Sequence, residues 1–165
     1  MQYIYSLFII FPLLFLSSCG FSSIYKEHNN PTRSALENID VAMINSIEGA
    51  DFYNHLQNIM PYSPATAKYT LITNCAFIKS ISVIQKNSDV LRELVTIKVS
   101  YELKNKTTGD RLSSGNFSRL SSFNTTFSPY SNVVSQQDTQ KNLAIMSAEE
   151  VRNRIMMFLQ NNRDL

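Results

Sequence analysis

Glycine is scarce in this chain, four among 165 residues, and there are no tryptophans, two histidines and two cysteines. So few glycines leave no Gly-rich phosphate loop and no nucleophile elbow, both of which need backbone that side chains would crowd. Two histidines restrict general acid–base chemistry, for which imidazole is the commonest group. His28 falls in the polar break His28-Asn29-Asn30-Pro31, and His55 lies in a helical segment one turn from Asp51. Both are expected to be satisfied or solvated. Glu149 and Glu150 are adjacent, and neighbouring helical residues point in different directions, so they read as a solvated face and not as a working carboxylate pair. No metal ligands recur at helical spacing. The chain is therefore expected to be no enzyme, and neither a metal nor a nucleic-acid partner is expected.

Long apolar runs are also missing, except at the start. From Leu7 to Leu16 every residue is apolar, with Pro12 in the middle, and no Lys or Arg precedes Leu7. That is the length of a signal-peptide core and falls short of the ~18–20 residues that span a bilayer. Leu16-Ser17-Ser18-Cys19 follows, a leucine and two small residues before a cysteine, which is the lipobox pattern. Small side chains let the extended backbone enter a tight protease groove, and the Cys19 thiol then carries the lipid. The expected organisation is a lipoprotein signal peptide over 1–18, a lipid-anchored tether with a short first strand over 19–31, and a single α+β domain over 32–165. No cofactor is expected beyond the covalent lipid on Cys19, a diacylglycerol thioether with an N-acyl chain. One acyl chain holds a protein marginally and two or more hold it firmly. Gly20 stands where an aspartate would favour the inner membrane, so the expected address is the outer membrane, with the domain on its periplasmic side. Cys75 lies in an apolar alternating stretch with no partner left for a disulfide, and is expected to be a buried, inert thiol.

Residues Cys19–Leu165 are enough for one ordinary domain with a real core, and 44% apolar residues with ten Phe and eight Tyr describe a folded chain. Ile39, Val41 and Met43 alternate as a first strand. From Ala50 to Met60 the spacing becomes helical, with Phe52, Leu56, Ile59 and Met60 on one face, until Pro61 stops it and Pro61-Tyr62-Ser63-Pro64 forms a loop. Tyr69, Leu71, Thr73, Cys75 and Phe77 share one side of the next strand, which runs on with a bend through Ile81 and Val83 to a turn at Asn87-Ser88-Asp89. Val95, Ile97, Val99, Tyr101 and Leu103 alternate with polar residues in the clearest half-buried strand. Thr107-Thr108-Gly109-Asp110 reads as a hairpin connection to a Ser/Asn-rich fourth strand from Arg111 to about Phe127. Ser135-Gln136-Gln137-Asp138 resembles a capping box opening the longest helix, to about Gln160, with Leu143, Ala144, Ser147, Ala148, Val151, Ile155, Phe158 and Leu159 on one face. The fold class is α+β: a two-layer sandwich of about four mainly antiparallel strands covered on one face by two helices.

Cys19-Gly20-Phe21, a strand and a helix, Tyr69-Thr70-Leu71, then Thr108-Gly109-Asp110-Arg111-Leu112-Ser113-Ser114-Gly115 and a terminal helix follow one another in an order that resembles the lipopolysaccharide-assembly lipoprotein family (LptE), in its shorter, divergent form. The resemblance spans nearly the whole of Cys19–Leu165. It implies an outer-membrane lipoprotein that plugs the lumen of a large β-barrel partner, assists its assembly and helps deliver lipopolysaccharide to the cell surface. An auxiliary lipoprotein of a phospholipid-transport system is the alternative, and a lipid-anchored hydrolase using His28 or His55 is a third reading.

Charge is uneven: Lys68 to Arg119 holds nine basic and four acidic residues, in the part that reads as sheet. Lys98, on the polar side of the best strand, and Lys104, Lys106 and Arg111 at the adjoining turn are the candidate contacts to lipopolysaccharide phosphate. The competing reading is ordinary solubilising charge at a sheet edge. Ile145, Met146, Met156 and Met157 lie off the apolar stripe of the last helix. They either border a wide buried face or offer a thioether surface to another protein. Mass spectrometry of the mature protein is expected to find residue 19 at the N-terminus with a diacylglycerol adduct; a free thiol or an uncut leader there would contradict the lipobox reading.

Overall fold

Strict alternation decides where the sheet lies. In the stretch Val95 to Leu103 every second residue is apolar, and a strand turns successive side chains to opposite faces. A computed structural model describes residues 35–44, 46–61, 67–84 and 90–162. The expected signal peptide, Cys19, the tether, His28, the turn at Asn87-Ser88-Asp89 and most of the loop at Pro61-Tyr62-Ser63-Pro64 lie outside the described residues. Pro31–Leu165 form one compact unit.

Four strands make one mixed sheet in the order β1-β2-β3-β4. β2 (Tyr69–Ile84), β3 (Val90–Asn105) and β4 (Arg111–Asn124) form an antiparallel meander. β1 (Ile39–Val41) joins β2 in parallel, with Ile39 opposite Tyr69 and Val41 opposite Leu71. The crossover between them carries α1 (Ala50–Ile59), and α2 (Pro129–Asn161) closes the chain. Both helices pack on the same side of the sheet, so the molecule is a two-layer α+β sandwich.

Register follows from turn chemistry. In the β3–β4 connection the Asn105 side-chain oxygen accepts from the amides of Thr107 (2.9 Å) and Thr108 (3.2 Å). Gly109 takes φ 77°, the left-handed region open to glycine. In β2 the expected bend is present as register shifts between Ile81 and Ile84. β4 ends at Asn124, short of Phe127, because the next residues are taken by a cap. The Thr126 amide donates to Asn132 Oδ1 (2.7 Å), and Asn132 Nδ2 returns a bond to the Thr126 carbonyl (2.9 Å).

That cap also corrects the start of α2. The helix begins at Pro129, not at Ser135: Ser128 is the N-cap, its Oγ accepting from the Ser131 amide at 3.4 Å, and Pro129 supplies a first residue with φ already helical. The first turns carry no buried residue, so no apolar period announces them.

The core lies between the layers. Phe52 and Leu56 of α1 and Ala144, Ala148, Val151 and Ile155 of α2 are fully buried against Leu71, Ile97 and Leu103. Each buried Leu, Ile or Phe contributes about 1.5–3 kcal/mol of transfer free energy. Met156 is buried too, 7% exposed, so of its two readings it borders the wide buried face and offers no surface to a partner. The flank of α2 that carries it is the one against which α1 packs, as the Glu149 contact with His55 of α1 marks. Ile145 is half-buried on the same flank.

A charged bolt holds α2 to the sheet. Glu150 accepts from Arg154 Nε at 2.8 Å and Arg119 Nη2 at 3.2 Å, and the Arg154 guanidinium lies 4.6 Å from the Phe117 ring centroid. Arg154 is also hydrogen-bonded to Tyr101. Tyr101 can lie flat because its cross-strand partner is Gly115, where a Cβ would come within 2.7 Å of the phenol oxygen. The hydrogen bond from Arg154, then the charges of Arg154 and Arg119, hold the Glu150 carboxyl below the usual carboxylate range, against the opposing effect of partial burial. A carboxylate depressed in the folded state stabilises above its unfolded pKa of about 4.3 and loses that contribution as pH falls through the folded value. Glu150→Gln is therefore expected to cost about 1 kcal/mol at pH 7 and progressively less toward strong acid. Urea unfolding across that range checks this; a pH-independent difference between variant and parent would contradict it.

Candidate functional site on the open sheet face

Because both helices lie on one side, the even-numbered residues of β2 and β3 face outward with no layer over them among the described residues. Their register assembles the site. Lys98 stands between Ala76 of β2 and Ser118 of β4, and one pair along β3 Ser100 stands between Asn74 and Asn116. These side chains line a shallow trough of about 430 Å³. A second hollow of about 300 Å³ adjoins it, lined by Ile72, Glu102, Arg111 and Ser114 among others. The floor is short Ser, Asn and Ala, so the sheet backbone lies near the surface. In the other direction Thr96 stands between Ile78 and Leu120, which are 44% and 61% exposed. A cation in a polar trough thus adjoins an aliphatic shelf.

The four basic residues singled out by sequence are not equivalent. Lys104 Nζ lies 3.3 Å from Glu102 Oε2, and Arg111 Nε lies 3.9 Å from Glu102 Oε1. Lys106 Nζ lies 3.5 Å from Asp40 Oδ2, at the β1 edge. Lys98 has no ion pair among the described residues and is exposed in the middle of the trough. An incoming anion meets Lys98 first, and reaches Lys104 and Arg111 only by sharing them with Glu102. Ile78, Leu120, Asn74 and Asn116 are the site residues that sequence reading missed. The signal for them was the outward parity of β2 and β4.

Ile145, Met146, Met156 and Met157 also divide. Met146 and Met157 are 49% and 55% exposed, whereas Ile145 and Met156 belong to the flank against α1. His55 lies 3.7 Å from Glu149. No cluster of three His, Cys, Asp or Glu side chains among the described residues is placed to hold a metal ion. No helix among them is long and apolar enough to cross a membrane.

Against known proteins, the chain is 36% identical over 152 residues to the uncharacterized protein RP188 of Rickettsia prowazekii (strain Madrid E), covering 92% of this chain and 96% of that protein. The chain belongs to that protein's family. No protein-family profile matches it. Solved structures share the family's fold at low identity. A candidate lipoprotein from Caulobacter crescentus CB15 superposes with a TM-score of 0.64 at 16% identity, covering 78% of this chain and 96% of that one. The rare lipoprotein B of Shewanella oneidensis gives a TM-score of 0.57 at 8% identity, covering 76% and 97%. A minor lipoprotein from Acinetobacter baumannii gives 0.58 at 12%, covering 74% and 94%.

Cys75 lies under the trough floor, facing the helices, and is 5% exposed. Burial first, and the nearby Glu48 carboxylate second, push its thiol pKa up. Reactivity needs the thiolate. In the native protein at pH 8, Cys75 is expected to resist iodoacetamide and to alkylate only after urea is added, as read by peptide mapping. Rapid native labelling at that position would show the floor to be open.

Proposed function

We propose that the protein is a lipid-anchored, non-enzymatic subunit of the outer-membrane lipopolysaccharide translocon. It is held to the membrane through Cys19, seated on the periplasmic side or within the lumen of a large β-barrel partner, and it assists that barrel's assembly and lipopolysaccharide delivery. The observation that carries this reading is the fold held in common with rare lipoprotein B, which is LptE, over 97% of that chain. The lipobox at Cys19 and the resemblance in order of motifs point the same way. The open face supports it chemically. Lipopolysaccharide carries phosphates beside acyl chains, and Lys98 beside Ile78 and Leu120 offers a point charge next to an aliphatic shelf. Lys104 and Arg111, shared with Glu102, are the second tier of phosphate contacts, and Lys106 the most remote.

Affinity capture of the tagged full chain from detergent-solubilised membranes is expected to recover a large outer-membrane β-barrel. Recovery of an inner-membrane transporter complex in its place would favour the phospholipid-transport reading. On the same protein, Lys98→Glu is expected to weaken lipopolysaccharide binding by about tenfold or more, the scale of one lost charge-assisted contact, while Lys106→Glu changes it by less than about twofold. Equal affinities for both variants and the parent would remove the trough from the binding role.

A further inference from the structure

Among the described residues the sheet has two free borders, and only one is guarded. Beyond Leu71 the outer side of β2 has no strand beside it among the described residues. It carries register breaks between Ile81 and Val83 and between Val83 and Ile84, both of which discourage another strand from adding on, while its Lys79 is drawn inward to Glu93 and Gln136. β4 carries neither. Its 14 residues include no proline, lysine or acidic residue, and its one register shift lies at the Leu103/Lys104 end. Most of its side chains are Ser, Asn or Gly, and Arg119 is drawn inward by Glu150. Unpaired amides and carbonyls along such a border are a template for another strand.

The flank of α2 above this border completes the surface. Glu149 marks the α1 side of the helix, 3.7 Å from His55, and Glu150 marks the β4 side, 3.2 Å from Arg119. At 100° per residue, Met146 and Met157 fall about 40° and about 20° from Glu150, on the β4 side. Both are exposed, at 49% and 55%. Along the helix axis Glu150 lies over Arg119 and Arg154 over Phe117, so the midpoint between the two methionines lies over Ser118.

We propose that this surface is an interface with a second copy of the chain, β4 pairing antiparallel with β4 across a twofold axis through Ser118. Opposed residues in one sheet must share a face, which limits the axis to a residue position and excludes the spaces between residues. An axis at Ser118 pairs Leu112–Asn124 along its whole length. Ser118 meets itself, Ser114 meets Ser122 of the second copy, and Arg119 meets Phe117 of the second copy. No like charges are opposed. The same axis sets Met146 of one copy against Met157 of the other, adaptable thioethers closing the helix layer above the joined sheet. This interface goes beyond the translocon reading and does not depend on it.

Single cysteines in the full chain, oxidised mildly in intact membranes, test the axis. Opposed Cα atoms of an antiparallel pair lie about 4.5–5.5 Å apart, within reach of a disulfide. Ser118→Cys is expected to give a disulfide-linked dimer at least about tenfold above the unsubstituted chain, whose Cys19 and Cys75 set the background. Ser114→Cys and Ser122→Cys are expected to link when coexpressed and not singly. Adding Met146→Glu with Met157→Glu to the Ser118→Cys chain should lower the yield. No dimer above background, linkage to a different protein, or equal yields from all three positions would overturn the proposal.

Discussion

β3 is the strand on which the rest is built. It is hydrogen-bonded along both sides, to β2 and to β4, and its helix-facing residues Val95, Ile97, Val99 and Leu103 are all buried to 2% exposure or less. α2 rests on that row and on β4, and α1 packs beside it against α2. The row exists because apolar and polar residues alternate without a break, so a slip of one residue would bury Lys98 and Glu102 and expose Ile97 and Val99. Burying an unpaired ammonium costs several kcal/mol, which fixes the register more firmly than any single hydrogen bond.

The same alternation divides the labour of the two faces. On the inner face charges are matched: Lys79 to Glu93, and Arg119, Glu150 and Arg154 to each other and to the rings of Phe117 and Tyr101. Among the described residues the outer face leaves Lys98 without such a match. A fixed structural charge and an available one thus sit on opposite sides of one sheet one position apart in register, since Arg119 pairs with Ile97, the neighbour of Lys98, and the backbone alone separates them. Small side chains on the outer face keep that backbone accessible from without, while Gly115 keeps it accessible to Tyr101 from within.

Most of the architecture was legible in the sequence because strands and the apolar halves of helices announce themselves by period. The Phe52, Leu56 and Met60 stripe, the alternation from Val95 to Leu103 and the Thr-Gly hairpin all carry a local signal. What was misread lacked one. Residues Ser128–Val134 have no apolar period, so Ser135 looked like the helix start although Ser128-Pro129 is the better cap. Met156 stayed open between two readings because it sits far round the helix from the centre of the buried stripe, and a helix read by itself does not reveal its neighbours. The basic cluster was legible as composition but not as availability. Glu102 and Lys104 lie two apart on one strand, which puts them on the same face, and that spacing foretold their pairing. The partnership of Lys106 with Asp40 needed the parallel strand β1, which local sequence does not place.

The chain order of these elements carries its own consequence. β2, β3 and β4 follow one another through short links and contact mainly their nearest neighbours in sequence, a meander that closes with little loop entropy. The residues that seal it, Leu143 to Leu159, come last. While synthesis is in progress the completed sheet therefore has α1 alone beside its inner face, and the emerging polypeptide is a sticky, half-covered shell until α2 arrives.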